Sequence, residues 1–259
     1  MPEGDTVWRV ARRLDDALSG EVLTSTDFRV PAYATLDLSG ELVRETRSRG
    51  KHLITTVGGR LVHTHLKMEG SWHLYRPGSR WRRPEHQARV VLRTETWAAV
   101  GFALGVVEVI ASGDEDRVMG HLGPDLLGPD WDEEEALRRL TSDPGRQLAD
   151  ALVDQRNLAG IGNLYKNELC FLAGTNPWRP IGEVDGLPRL VRRAKLALEA
   201  NKHRVEQTFT GDTRRGARNW VYLRDGQPCR RCGTTIEVSM SGPQTQERST
   251  YWCPTCQPR

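Results

Sequence analysis

An α+β fold in two parts is predicted for these 259 residues: a β-sandwich opened by a helix, then a mainly helical domain ending in a cysteine-bearing hairpin. Three observations predict it. Apolar residues near the start recur at helical spacing, the next ninety or so residues are β-branched runs cut by Gly and Pro, and two CxxC pairs close a basic C-terminal stretch.

Val7, Val10, Ala11, Leu14 and Leu18 mark the first helix, with Asp5 or Thr6 as its N-cap and Gly20 as its stop. Over 21–111, runs such as Leu53-Ile54-Thr55-Thr56-Val57 and Ala88-Arg89-Val90-Val91-Leu92 predict strands of one sheet-based domain, 1–112. From Gly113 to Glu135 nine acids stand against one base, and the alternation ends, which predicts an acidic linker over 113–131. Helices are expected over 133–140, 145–154, 163–173 and 187–202, within a domain spanning 132–213. The turn Asn157-Leu158-Ala159-Gly160-Ile161-Gly162 joins two of them, as in a helix-turn-helix. A short-stranded segment, 214–259, completes the chain.

Charge adds a hint about partners. The net formal charge is +3, but ten Lys/Arg against five Asp/Glu give residues 201–259 a charge of +5, leaving −2 for the rest. Such an asymmetry fits either a polyanionic partner or a solvated face. No stretch approaches a membrane span, and the N-terminus lacks the apolar core of a secretory signal, so a cytoplasmic protein without a membrane partner is expected.

Cys229-x2-Cys232 and Cys253-x2-Cys256, twenty residues apart, have the spacing of a four-thiolate zinc ribbon. Four thiolates leave no open coordination position, so the expected single Zn2+ is structural. Cys170, between Leu169 and Phe171, is expected to be a buried, unreactive thiol. Arg248 lies near the far end of the hairpin and Arg230 and Arg231 at its first knuckle, where a basic loop suits phosphates or simply faces water.

Several motifs then occur in one order: Met1-Pro2-Glu3-Gly4, Ser48-Arg49-Gly50-Lys51-His52-Leu53, His65-Leu66-Lys67-Met68-Glu69-Gly70, Asp154-Gln155, Gly160-Ile161-Gly162-Asn163-Leu164-Tyr165-Lys166-Asn167-Glu168, and Arg248 five residues before Cys253. Along essentially its whole length the chain resembles the formamidopyrimidine-DNA glycosylase and endonuclease VIII family, with the endonuclease VIII branch the nearer. The resemblance implies that the second domain is a helix-two-turns-helix domain carrying a zinc finger. It also implies a monomeric, bacterial, nucleoid-associated enzyme of base excision repair acting on damaged double-stranded DNA.

The implied chemistry starts at Pro2. Proline after Met1 is a favourable context for removal of the initiator methionine, which frees a secondary amine. An α-amino group titrates near 8 and lysine near 10.4, so at neutral pH about a tenth of the former carries the lone pair that attack requires. By resemblance, Pro2 is the nucleophile, Glu3 the general acid/base, and Lys51 the cation beside the lesion. Asn163, after Gly162 at a helix N-terminus, and Arg248 hold the flanking phosphates. Met68 matches the loop residue that fills the gap left by an extruded base, with an ordinary core methionine as the alternative.

The chain departs from the family where many relatives read Pro-Glu-x-Pro-Glu. Here Pro2-Glu3-Gly4-Asp5-Thr6 lacks the second glutamate. The resemblance implies β,δ-elimination, with oxidised pyrimidines expected as substrates in preference to 8-oxoguanine and abasic sites acceptable in either case. The rival readings are a noncatalytic or abasic-site-only binder on the same fold, and a zinc-ribbon transcription module.

Overall fold

The computed structural model describes residues 2–242 and 247–259, and its chain divides into two units, 1–121 and 122–259. Met1, whose removal the chemistry above requires, lies outside the described residues.

In the first unit α1, Gly4–Leu18, buries Val7, Ala11, Leu14 and Leu18. The helix begins earlier than the Asp5 or Thr6 cap the sequence suggests. Glu3 is the N-cap residue in extended conformation, while Asp5 sits in the first turn, where its carboxylate complements the helix dipole and accepts the Thr6 N–H at 2.7 Å. Eight strands follow: β1 Ser25–Phe28, β2 Val43–Arg49, β3 His52–Val57, β4 Arg60–His65, β5 Ser71–Tyr75, β6 Ala88–Arg93, β7 Ala98–Phe102 and β8 Val106–Ala111. They form two antiparallel four-stranded sheets in the orders β1-β6-β7-β5 and β2-β3-β4-β8. One core joins both sheets to the helix: Phe28, Val90, Leu92 and Ala99 from the first, Leu53, Val57 and Val62 from the second, and the apolar stripe of α1. This is a sandwich opened by a helix.

Part of the acidic segment belongs to this unit. Residues 115–119 form a short helix, α2, with Met119 buried and Glu115 paired to Arg47 of β2. Leu126 belongs to the core of the second unit. Acidic side chains in 113–131 thus punctuate folded structure, because apolar residues between them are buried.

The second unit contains α3 Glu133–Leu140, α4 Leu148–Val153, α5 Asn163–Ala173, α6 Leu187–Asn201 and the antiparallel hairpin β9 Glu237–Ser241 and β10 Arg248–Trp252. Leu152, Leu158, Ile161, Tyr165, Leu169 and Val191 meet in its helical core. Helix α4 is shorter than the expected 145–154, since Pro144, Arg146 and Gln147 bond instead to the 180–182 segment. Residues 154–162 turn between α4 and α5, with Gly160 at φ 111, a backbone angle open to glycine and strained for other residues.

Glu168 anchors the C-terminal segment to α5. Its fully buried carboxylate accepts the backbone N–H groups of Trp220, Val221 and Tyr222 at 2.8, 2.9 and 2.8 Å. Burial pushes its pKa up, opposed by those three donors. Glu168→Ala would strand all three N–H groups in the interior, and a loss of about 3 kcal/mol in urea denaturation is expected, with Glu168→Gln milder. Equal stability of wild type and Glu168→Ala would contradict this role.

Candidate functional site

In the first unit α1 lies along β2 in a sense that directs the N-terminal motif toward the lysine hairpin. Ser19 Oγ donates to the Arg44 carbonyl at 2.5 Å, and Asp15 Oδ1 accepts the Thr46 N–H at 2.8 Å. Moving toward the N-terminus of the helix therefore means moving toward the C-terminal end of the strand. From Asp15 back to Gly4 the helix covers about 16 Å, and from Thr46 to the Gly50-Lys51 turn the strand covers about the same. The N-terminus of α1, with Pro2 and Glu3 ahead of it, therefore points toward the same end of β2 as the Gly50-Lys51 turn.

Each side chain there is placed by local chemistry. Glu3 is fully buried just ahead of the helix, and its carbonyl accepts the Val7 N–H at 3.0 Å. Pro2 is half-buried. Arg49 pairs with His52, so Gly50 and Lys51 form a two-residue hairpin turn, with Gly50 at φ 56 as such turns require. Lys51 is half-buried at its tip.

The loop after β4 presents Met68. It turns over 66–70, closed by the Gly70 N–H on the Leu66 carbonyl at 2.9 Å. A Cβ at Gly70 would lie 2.4 Å from that carbonyl oxygen, so only glycine fits. Met68 is 66 % exposed, which rules out the core-methionine alternative.

A histidine cluster adjoins Lys51. His52, His63 and His65 share one face of β3 and β4. The His52 ring lies 5.0 Å from His63, 5.1 Å from His65 and 6.2 Å from His121, centroid to centroid. Burial first, then neighbouring positive charge, lowers the His52 pKa to about 3 and that of His65 to about 4, with Lys51 and Lys67 both acting on His65. Both rings are neutral at pH 7. His52 and His65 lie within sequence motifs without an assigned role; the two-residue spacing of His63 and His65 puts those two on one face of a strand, and only register brings His52 to them.

In the second unit Asn163 and Arg248 come together. Asn163 opens α5 behind the N-cap Gly162, and its Nδ2 donates to the Ser249 carbonyl at 3.0 Å, one residue from Arg248 at the start of β10. The Asn163 Oδ1 is buried without a hydrogen-bond partner among the described residues. Lys166 and Asn167, part of the 160–168 motif but without an expected role, complete the joint. Lys166 Nζ donates to Thr250 Oγ1 at 2.6 Å, and Asn167 Oδ1 accepts the Tyr251 N–H at 2.7 Å. Helix α5 therefore grips β10 by its backbone and holds Arg248 beside the helix N-terminus. Arg230 and Arg231 serve structure instead. Arg230 donates to the carbonyls of Asn219 and Gly216, and Arg231 stacks 4.4 Å over the Phe171 ring.

The sulfurs of Cys229, Cys232, Cys253 and Cys256 lie within 4.8 Å of one another, all as free thiols. Cys232 and Cys253 are 3.4 Å apart and Cys229 and Cys256 3.9 Å. A tetrahedron with metal–sulfur bonds near 2.3 Å has edges of about 3.8 Å, whereas a disulfide needs about 2.05 Å. The donor set fits a closed tetrahedral metal site. Cys170 is buried away from it, and desolvation pushes its pKa up to about 12, as an inert thiol requires.

A helix-led sandwich, a helical unit with a glycine turn and a four-thiol hairpin make up an α+β fold shared with known proteins. The model for the formamidopyrimidine-DNA glycosylase N-terminal domain matches residues 1–103. A probable endonuclease 8 2 of Streptomyces coelicolor is 56 % identical over 99 % of this chain and 94 % of its own length. A Mycolicibacterium smegmatis protein named DNA-(apurinic or apyrimidinic site) lyase Nei2 is 49 % identical over 99 % of both chains. The fold is also that of Lactococcus lactis Fpg solved with DNA containing an abasic site, at TM-score 0.81, 21 % identity and full coverage of both chains. The chain belongs to the formamidopyrimidine-DNA glycosylase and endonuclease 8 family.

The depressed histidine values set a pH dependence. In the unfolded chain histidine binds a proton near pH 6.5, while His52 and His65 in the native state resist protonation down to about 3 and 4. The unfolded state therefore holds more protons in that window, and this contribution, complete above 6.5, is lost as pH falls toward 4. Thermal melts from pH 7 to 4.5 are expected to show a steeper fall for wild type than for a His52→Gln, His65→Gln double variant. Parallel curves would contradict the shifts.

Proposed function

We propose that the protein is a bifunctional DNA glycosylase and abasic-site lyase of base excision repair, with oxidised pyrimidines as its favoured lesions. What supports the reading is the sense in which α1 runs against β2, which points buried Glu3 and adjacent Pro2 toward the Lys51 end of the hairpin. A secondary amine, a carboxyl group and an ammonium at one end of a rigid sandwich are the three groups that chemistry at a deoxyribose carbon needs.

With Met1 removed, the neutral Pro2 nitrogen attacks C1′, and the bond to the base breaks. The base takes the electron pair and a proton. Glu3 protonates the ring oxygen to open the sugar, leaving an iminium between Pro2 and C1′. That cation acidifies the C2′ hydrogen; its removal expels the 3′ phosphate, and a second elimination expels the 5′ phosphate. Water then releases Pro2. Lys51 neutralises phosphate charge as it develops, and Asn163, Gly162 and Arg248 hold the flanking backbone. Exposed Met68 is available to enter the space left by the extruded nucleotide.

Zn2+ is the metal these four thiolates suit, in a purely structural role that stiffens the hairpin bearing Arg248. The partner is damaged duplex DNA, bound by a monomer. No helix among the described residues is long and apolar enough to cross a membrane. A cytoplasmic, nucleoid-associated protein remains our reading.

A second reading, lyase action on abasic sites alone, is favoured by the name of the Mycolicibacterium smegmatis relative and by Gly4-Asp5-Thr6 standing where many relatives carry a second glutamate. Borohydride trapping on matched duplexes separates the possibilities. The proposal expects a covalent adduct with an oxidised pyrimidine and with a preformed abasic site, lost in Pro2→Gly. An adduct with the abasic site alone favours the second reading, and no adduct with either duplex refutes both.

Metal content gives an independent check. One zinc ion per chain is expected by elemental analysis, and Cys253→Ser should lose it together with most DNA affinity. Wild-type binding by zinc-free protein would exclude the structural role.

A further inference from the structure

The chemistry above leaves unused a chain of groups that runs through three strands to the residue after Lys51. Glu108 of β8 faces His63 of β4, and His63 reaches His52 of β3. Glu108 Oε2 lies 2.9 Å from His63 Nδ1. A carboxylate oxygen accepts, so Nδ1 donates. A His63 ring whose single proton sits on Nδ1 accepts at Nε2 from His52 Nδ1, 2.8 Å away. His52 Nε2 is then bare.

His65 is fixed the opposite way. Its Nδ1 accepts the Lys67 backbone N–H at 2.9 Å, which puts the ring proton on Nε2. His52 and His65 thus meet edge to face as two neutral imidazoles of opposite tautomer.

We propose that Glu108 and His63 are positioning residues that lock His52 and, through it, the Lys51 end of the hairpin for strand incision. This rests on the reading of Lys51 given above. A lysine ammonium rides on a flexible stem, and β2, which carries the other arm of its hairpin, is an edge strand. Tying the next ring to two further strands removes freedom at the turn, where a misplacement of about 1 Å can cost about 100-fold in rate.

The surroundings support a neutral His52 ring. His52 is faced by His63 and His65 from β4, by His121 after α2 and by Lys67, with Arg49 beside it on β2 and the Arg47–Glu115 pair in the next row. Positive charge outweighs negative there, so a protonated ring would oppose Lys51. Among the described residues the histidines do not form a group with metal-ligand spacing; the four cysteines do.

The test uses the full-length protein as wild type, Glu108→Ala, Glu108→Gln and Lys51→Ala. Glu108 is 44 % exposed, so both of its substitutions leave the core filled. Single-turnover incision of a duplex with a preformed abasic site is measured beside DNA affinity at fixed salt, together with nitrogen-15 spectra of the histidine rings. Glu108→Ala is expected to incise about tenfold more slowly with affinity within about twofold, and Glu108→Gln to recover most of the rate because its amide oxygen accepts the same N–H. In wild type His52 should carry its proton on Nδ1, and in Glu108→Ala the two tautomers should mix. Wild-type incision by Glu108→Ala, equal losses in Glu108→Ala and Glu108→Gln, or a wild-type His52 proton on Nε2 would each overturn the relay. If wild type incises no faster than Lys51→Ala, the reading of Lys51 is what fails, and the ring spectra still decide the tautomer chain.

Discussion

One hydrogen bond sets the geometry of the first unit's site: the Asp15 carboxylate on the Thr46 N–H. It fixes how far α1 has slid along β2, with the helix N-terminus directed toward the Gly50-Lys51 end of the strand. A slip of one helical turn would shift Pro2 and Glu3 by about 5.4 Å from the lysine turn. The apolar stripe of α1 favours burial in any register that keeps Val7, Ala11, Leu14 and Leu18 inward. It takes a directional bond at Asp15, seconded by Ser19 on Arg44, to select one.

The second unit solves a comparable problem with buried polar groups. A hairpin of two five-residue strands has little core of its own, and β9 is almost wholly exposed. Asn163, Lys166 and Asn167 therefore hold β10 from one face of α5, while Glu168 holds residues 220–222. Such groups are costly to bury alone and specific when paired, so they fix the position of Arg248 where apolar packing would allow sliding. The four thiols close the other end of the same hairpin.

Much of this was legible in the sequence, and what was not has a physical cause. Periodicity gave α1, α3, α5 and α6 closely, because their apolar faces are buried. The four-thiol site was readable because ligand spacing is local. Helix starts were less so: Glu3 caps α1 in place of Asp5 or Thr6, since its backbone takes the cap geometry while its side chain is buried. The histidine cluster stayed hidden because His52, His63, His65 and Glu108 meet only once strand register is known. By charge, Arg230 and Arg231 fitted either phosphate contacts or a solvated face, and only the fold reveals the carbonyls and ring that engage them.

The chemistry turns on which nitrogen meets the sugar. Peptide mapping by mass spectrometry of a borohydride-reduced protein–DNA adduct identifies it directly. The predicted result is a single modified peptide that begins at Pro2, lacks Met1 and carries the sugar remnant on its terminal nitrogen. A remnant on the Lys51 side chain, or on a chain that still retains Met1, would contradict it.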